Sequence, residues 1–367
     1  MLWHLDGGQW FSFSSPSSGA IKSLDFISPN KIWGVGIFGS IIYWDGNGWQ
    51  GIITPQSHWL SAISMVSSTD GWAAGNKGLL MHWDGQTWEE FANPYQSEEQ
   101  FGYRDISMVS ESDGWAVGFN LEASKSEIVH WDGVFWTIYN NPAPTHLLDS
   151  ISMISQNEGW IVGSGGIALH WDGNSWTIMS DGIPDDANLS DVSFLSSNDG
   201  WAVGQISVPW PPPPPIAVHW NGTIWEVNPP PILDYGDYHG LWAVEMITSN
   251  NVWASRWRYM LHWNGLSWNK VSTPRTNKSV SGSYTSLSML SEKEGWAVGD
   301  GNSHCIIAYW NGFSWFDVSC PTADGLSSVS FVSPSDAWAV GGNAIIHYTG
   351  PAPEFFHSFL PIIASSP

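Results

Sequence analysis

The chain is poor in cations. Lys and Arg total 11 against 34 Asp and Glu, giving a formal net charge of −23 over 367 residues. A partner held by its phosphate backbone needs clustered positive charge, so nucleic acid is excluded as a partner, and an anionic membrane surface is disfavoured. Charged residues of all kinds make up 12% of the chain, about half the usual share. Solubility therefore rests on Ser, Asn, Gly and the acidic excess. No apolar run approaches the ~20 residues needed to span a bilayer. The start, MLWHLDGGQW, lacks the basic and apolar regions of a signal peptide. It begins inside a repeat, so either a leader has been removed or the chain starts there to close a ring. Apolar residues at helical spacing are missing, which argues against helical repeats. No G-x-S-x-G, H-E-x-x-H, phosphate loop or dinucleotide fingerprint occurs, no cofactor is implied, and no carboxylate stands out as a general acid.

What is abundant is repetition. Residues 150–180, SISMISQNEGWIVGSGGIALHWDGNSWTIMS, hold four short apolar runs, Ile151–Ile154, Trp160–Val162, Ile167–Trp171 and Trp176–Met179. Each is 3 to 5 residues long and tends to alternate, which predicts strands. Between them lie turn residues, including Asn157-Glu158-Gly159 and Asp172-Gly173-Asn174-Ser175. Such a sheet is apolar on both faces and must bury them against copies of itself. The W-A-V-G run or a variant recurs eight times, at Trp33, Trp72, Trp115, Trp160, Trp201, Trp253, Trp296 and Trp338. The third-strand signature begins at His4, Tyr43, His82, His130, His170, His219, His262, Tyr309 and His347, spaced 38 to 49 residues apart. Four strands per forty-odd residues predict a β-propeller filling residues 1–350, with eight blades, or seven if a divergent repeat is not a blade. Residues 351–367 leave the repeat and read as a linker or tail.

The ends complement each other. The first residues supply a third-strand remnant and a fourth strand, Trp10–Phe13, while the last repeat lacks an obvious fourth strand. Joining them closes the ring, with His4 and His347 competing for one slot. With the first strand innermost, long segments gather on the face carrying the second-to-third loops and the crossings. These are Ala92–Tyr103, Asn140–Asp149, Met179–Ser190, Asn228–Leu241, Ser272–Tyr284, Phe119–Glu127 and Gln205–Pro215. Insertions confined to one face mark it as the binding face. Within them, Pro209–Pro215 reads as a polyproline II spacer.

The third-strand histidines sit at equal places in different blades, so symmetry holds them apart, and a packing role with one hydrogen bond is expected rather than a metal site. Asp45, Asp84, Asp132 and Asp172 are replaced by Asn221, Asn264 and Asn311 in later blades. Asn keeps a turn-bracing acceptor but loses the charge calcium needs. The paired tryptophans, such as Trp83 and Trp88, are placed at blade-to-blade contacts. Pairing Trp310 with Trp315 sets Cys305 opposite Cys320, a candidate disulfide that would imply an oxidising, extracytoplasmic compartment. Blade six departs from the repeat, with Arg256, Trp257 and Arg258 replacing its glycine loop after a crossing that carries Tyr235, Asp237, Tyr238 and His239. In a chain so poor in cations this cluster is the first ligand-site candidate. Tyr103 and Arg104, entering blade three, are the second.

Through Gly295-Trp296-Ala297-Val298-Gly299 to Trp315, and Gly159 to Trp176, the sequence resembles the BNR/Asp-box propellers, most of all the photosystem II stability and assembly factor group. The closing motif here, as in His82–Trp88, is one residue tighter than that family's Asp box. The resemblance implies a propeller over nearly the whole chain. Sialidases of the same superfamily would need three arginines around a substrate carboxylate, a Tyr/Glu pair and an aspartic acid. The four arginines here, Arg104, Arg256, Arg258 and Arg275, match no motif that would carry such a site over. The expectation is a monomeric, non-enzymatic, extracytoplasmic bacterial module binding a protein or glycan through its loop face. A sialidase-like glycoside hydrolase and an assembly factor for a membrane complex are the alternatives.

Overall fold

The computed structural model describes residues 2–6, 9–13, 21–28, 31–36, 40–44, 49–53, 60–67, 70–84, 86–94, 101–207, 213–231, 240–256, 259–273, 283–300, 305–318, 328–333, 336–341 and 344–349. Their regular structure is all β: thirty-three strands in eight sheets. Seven sheets have four antiparallel strands in sequence order, as in blade four: Leu148–Ser155, Glu158–Gly163, Ala168–Trp171 and Trp176–Ile178. The inner strands of blades one to eight are Ile21–Ser28, Leu60–Ser67, Phe101–Ser110, Leu148–Ser155, Ala187–Ser196, Val244–Thr248, Ser283–Ser291 and Ser328–Ser333. Each touches the next, and the last touches the first, so the sheets form a closed ring. The chain is an all-β propeller.

Two expectations are corrected. His4 and His347 do not compete for one slot. Leu2–Asp6 lies parallel to Ala344–Thr349 with His4 level with His347, and Gln9–Phe13 is antiparallel to it, giving a fifth strand in the eighth sheet. Parallel addition at an edge lets both third-strand copies keep their backbone partners. The strands also outrun the apolar runs: Phe101–Ser110 has 10 residues, and Asp113–Asn120 and Lys125–Trp131 shorten the expected Phe119–Glu127 loop to 121–124. Polar residues are admitted because the inner strand needs side chains that bridge to its neighbours, as described below.

Tryptophan stacking joins the blades. Trp115 of blade three is fully buried against Trp171 (4.6 Å between ring centroids) and edge-on to Trp176 (5.3 Å) of blade four. The arrangement recurs for Trp72 on Trp131 and Trp136, Trp160 on Trp220 and Trp225, Trp201 on Trp263 and Trp268, and Trp253 on Trp310 and Trp315. Each described core cluster accordingly draws on two adjacent blades. The same tryptophan packs on its own blade's histidine, 4.2 Å for Trp115 and His130. Nε2 of that histidine lies 2.8 Å from Asp113 Oδ1, and His82–Asp70, His170–Glu158, His219–Asp199 and His262–Asn251 repeat the contact. In the turn between third and fourth strands, Asp132 Oδ1 accepts from the N–H groups of Val134 and Phe135, holding its carboxyl below the usual range. Asn221, Asn264 and Asn311 make the same two bonds. The glycine after each takes φ near 90°, 90° at Gly133 and 89° at Gly222, a conformation L side chains rarely adopt.

Candidate interaction face and axial seam

Among the described residues no backbone ladder joins the inner strands of adjacent blades close to the axis. Side chains span the gap instead. Ser64 Oγ accepts from Met108 N–H, Ser107 Oγ from Met153 N–H, Ser193 Oγ from Met246 N–H, and Glu245 Oε2 from Met289 N–H. Two residues earlier on the strand, Asp105 Oδ2 accepts from Ile151 N–H at 2.9 Å and Asp191 Oδ2 from Val244 N–H at 2.9 Å. Ser150 Oγ donates to Asp191 Oδ1 at 3.2 Å. The recurrent Ser/Asp alternation of the first strand thus stitches blade to blade. The surrounding protein pushes the carboxyls of Asp105 and Glu245 up to about 7 and that of Asp191 up to about 6. Burial is the largest cause in all three, opposed by the N–H donors, and repulsion from Asp191 adds to the rise at Asp105 and Glu245. Each of these perturbed carboxylates has at least one oxygen engaged in the seam.

At the loop-face end of the inner strands, a bulge between Tyr103 and Asp105 turns Arg104 out of the ladder. Asp149 occupies the matching bulge in blade four, and the two form an ion pair at 2.8 Å with Arg104 half exposed (47%). Burial raises the Asp149 pKa while Arg104 opposes the rise. Tyr103, by contrast, is interior: its ring lies edge-on to Phe101 at 4.8 Å and its hydroxyl donates to Asn93 Oδ1 at 3.1 Å. Counting back from the Glu245–Trp253 pair, Trp242 stands where blades three and four have Arg104 and Asp149, and it is 49% exposed. Sequence reasoning missed it. The signal was available in the offset from the W-A-V-G tryptophan, once the bulge position is known.

Blade six shows why its sequence departs from the repeat. Elsewhere the glycine closing W-A-V-G faces the backbone entering the neighbouring inner strand. A Cβ on Gly163 would meet Leu147 O, and one on Gly204 would meet Asn188 O. Arg256 takes that place, and the inner strand shrinks to the five residues Val244–Thr248. Its side chain is fully buried with the guanidinium carbon 5.2 Å from the Tyr259 ring centroid, and Lys270 Nζ is 4.3 Å from the same ring. Trp257, Arg258, Tyr235, Asp237, Tyr238 and His239 lie outside the described residues, as does the Cys305–Cys320 pairing, although the Trp310–Trp315 register that predicts it is present.

The architecture and the blade-to-blade tryptophans define the class, a β-propeller. Solved structures similar to this chain include YCF48 bound to a D1 peptide, at 15% identity over 95% of this chain and 97% of that one, TM-score 0.58. The computationally designed Ika8 protein is similar at 12% identity over 91% and 97%, TM-score 0.69. The C-terminal WD40 domain of Sif2 is similar at 9% identity over 91% and 96%, TM-score 0.62. No family model and no curated protein matches the chain. Among the described residues no helix is long and apolar enough to cross a membrane.

Proposed function

We propose that the protein is a non-enzymatic recognition scaffold that binds a polypeptide through the loop face of its propeller. The observation that carries this reading is the Arg104–Asp149 pair, with Arg104 half exposed, and Trp242 at the matching position in blade six. A cation and an anion raised on bulges of inner strands, with an indole just ahead of the inner strand of blade six, form a recognition set on a fixed scaffold. Trp257 and Arg258 of blade six, which the sequence pattern assigns to the same face, are the second candidate set. The likeness to YCF48 bound to a D1 peptide is consistent with this use of the fold, and a role as an assembly factor for a membrane complex is a finer version of it. The hydrolase alternative gains little support, because Asp105, Asp191 and Glu245, the carboxyls raised to about 6 or 7, are spent in the axial seam. An extracytoplasmic location follows if Cys305 and Cys320 are joined.

The test is client capture from extract and a glycan array, run with wild type, Arg104→Ala/Trp242→Ala and Trp257→Ala/Arg258→Ala. Loss of captured proteins with either double variant supports the reading. Capture that survives both, or saturable glycan binding with no captured protein, overturns it.

A further inference from the structure

We propose that a notch in the outer wall between blades five and six binds a tyrosine or phenylalanine side chain of a polypeptide partner. The proposal goes beyond the loop-face reading and rests on a different part of the molecule.

Three residues after the fourth-strand tryptophan, blades two, three, four and six send a side chain toward the tryptophan pair of the next. In the eight blades this residue is Ile52, Phe91, Tyr139, Met179, Asn228, Val271, Val318 and Phe13, so only blade five carries a polar one. Where the residue is aromatic the contact is explicit. Phe91 lies edge-on to Trp131 at 5.1 Å, and Tyr139 edge-on to Trp171 at 5.4 Å with its hydroxyl donating to Asn174 O at 3.0 Å. Met179 and Val271 pack against the neighbouring core in the same way. Asn228 instead turns back on its own strand, its Nδ2 donating to Glu226 O at 3.1 Å.

The consequence is an uncovered tryptophan. Trp131, Trp171, Trp220 and Trp310 are 5%, 6%, 4% and 8% exposed, whereas their counterpart Trp263 is only partly buried. In front of it opens a cavity of about 340 Å³ walled by Pro229, Pro231, Trp263, Leu266 and Trp268, with Asn228 beside them. Leu266 is 87% exposed. The other blades show what fits. A ring in this place packs edge-on to the third-strand tryptophan, and a phenol can donate to the carbonyl that Leu266 presents where blade four presents that of Asn174. Two prolines and a leucine around an indole favour a flat apolar side chain over a hydroxylated sugar. With a net charge of −23 on the protein, basic residues beside the aromatic would speed the encounter.

The test uses the intact chain labelled with 5-fluorotryptophan, the Trp263 fluorine signal being assigned with Trp263→Phe. N-acetyl-L-tyrosinamide should shift that signal saturably, with a dissociation constant on the order of 1 mM, as expected for a single side chain. Asn228→Tyr and Asn228→Phe supply the missing ring, so both should weaken binding by about tenfold or more and raise the melting temperature. Asn228→Ala keeps the notch open and should keep the shift. Three results overturn the proposal: no shift with the tyrosine probe, an equal shift with methyl β-D-glucopyranoside, or an undiminished shift in Asn228→Tyr. None of these variants touches Arg104, Asp149, Trp242, Trp257 or Arg258, so failure here leaves the loop-face reading to its own test.

Discussion

The tryptophan of the second strand does most to hold neighbouring blades together. Trp160 is fully buried, stacks against Phe194 at 5.1 Å and touches Trp220 and Trp225 of blade five. Removing its ring leaves a void that the rigid sheets on both sides cannot close. Trp160→Ala should therefore cost about 3–5 kcal/mol in urea-unfolding experiments, the range for large aromatic truncations in cores. A loss below about 1 kcal/mol would mean that the blades collapse readily onto the gap. The paired tryptophans of the third and fourth strands made one side of this contact legible in the sequence. The role of Trp242 was not legible in the same way, because it lies ahead of a shortened inner strand whose start no local pattern marks.

At the level of the element, the inner strand carries the unusual chemistry. Asp105, Asp191 and Glu245 bond to backbone N–H groups of the following blade while burial lifts their pKa values to about 7, 6 and 7. Each binds its proton more tightly in the folded state than in the unfolded one. The stability they contribute is thus complete below about pH 4, the unfolded value, and is lost as pH rises through 6 to 7. Denaturation midpoints should fall between pH 5 and pH 8. Asp105→Asn, which keeps an acceptor for Ile151 N–H without the charge, should flatten that fall and be the more stable protein at pH 8. An unchanged pH profile in Asp105→Asn would show that the Asp105 carboxyl titrates normally. Blade six was recognisable as divergent from its sequence. That Arg256 points inward, beside Tyr259, depends on the shortened inner strand, which no local pattern reports.

For the molecule as a whole, closure is the decisive event. The eighth sheet takes three strands from one end of the described chain and two from the other. Deleting residues 1–13 removes Leu2–Asp6 and Gln9–Phe13, leaving the blade with three strands and an open edge. The deletion should lower the thermal midpoint and promote self-association, followed by light scattering during melting. A deletion variant that melts like the full chain and stays monodisperse would mean that this pairing contributes little to ring integrity.

The amino-acid order alone specified strand type, repeat length, the Trp pairs between blades and the Asp/Asn turns, because each follows from spacing within about forty residues. Folding in three dimensions settled matters that arise between distant segments. These are the parallel seat of Leu2–Asp6 beside Ala344–Thr349, the carboxylate stitches between adjacent blades, and the notch left by Asn228. Each joins residues of different repeats, and the energy that sets it resides in contacts between them and not in any one repeat.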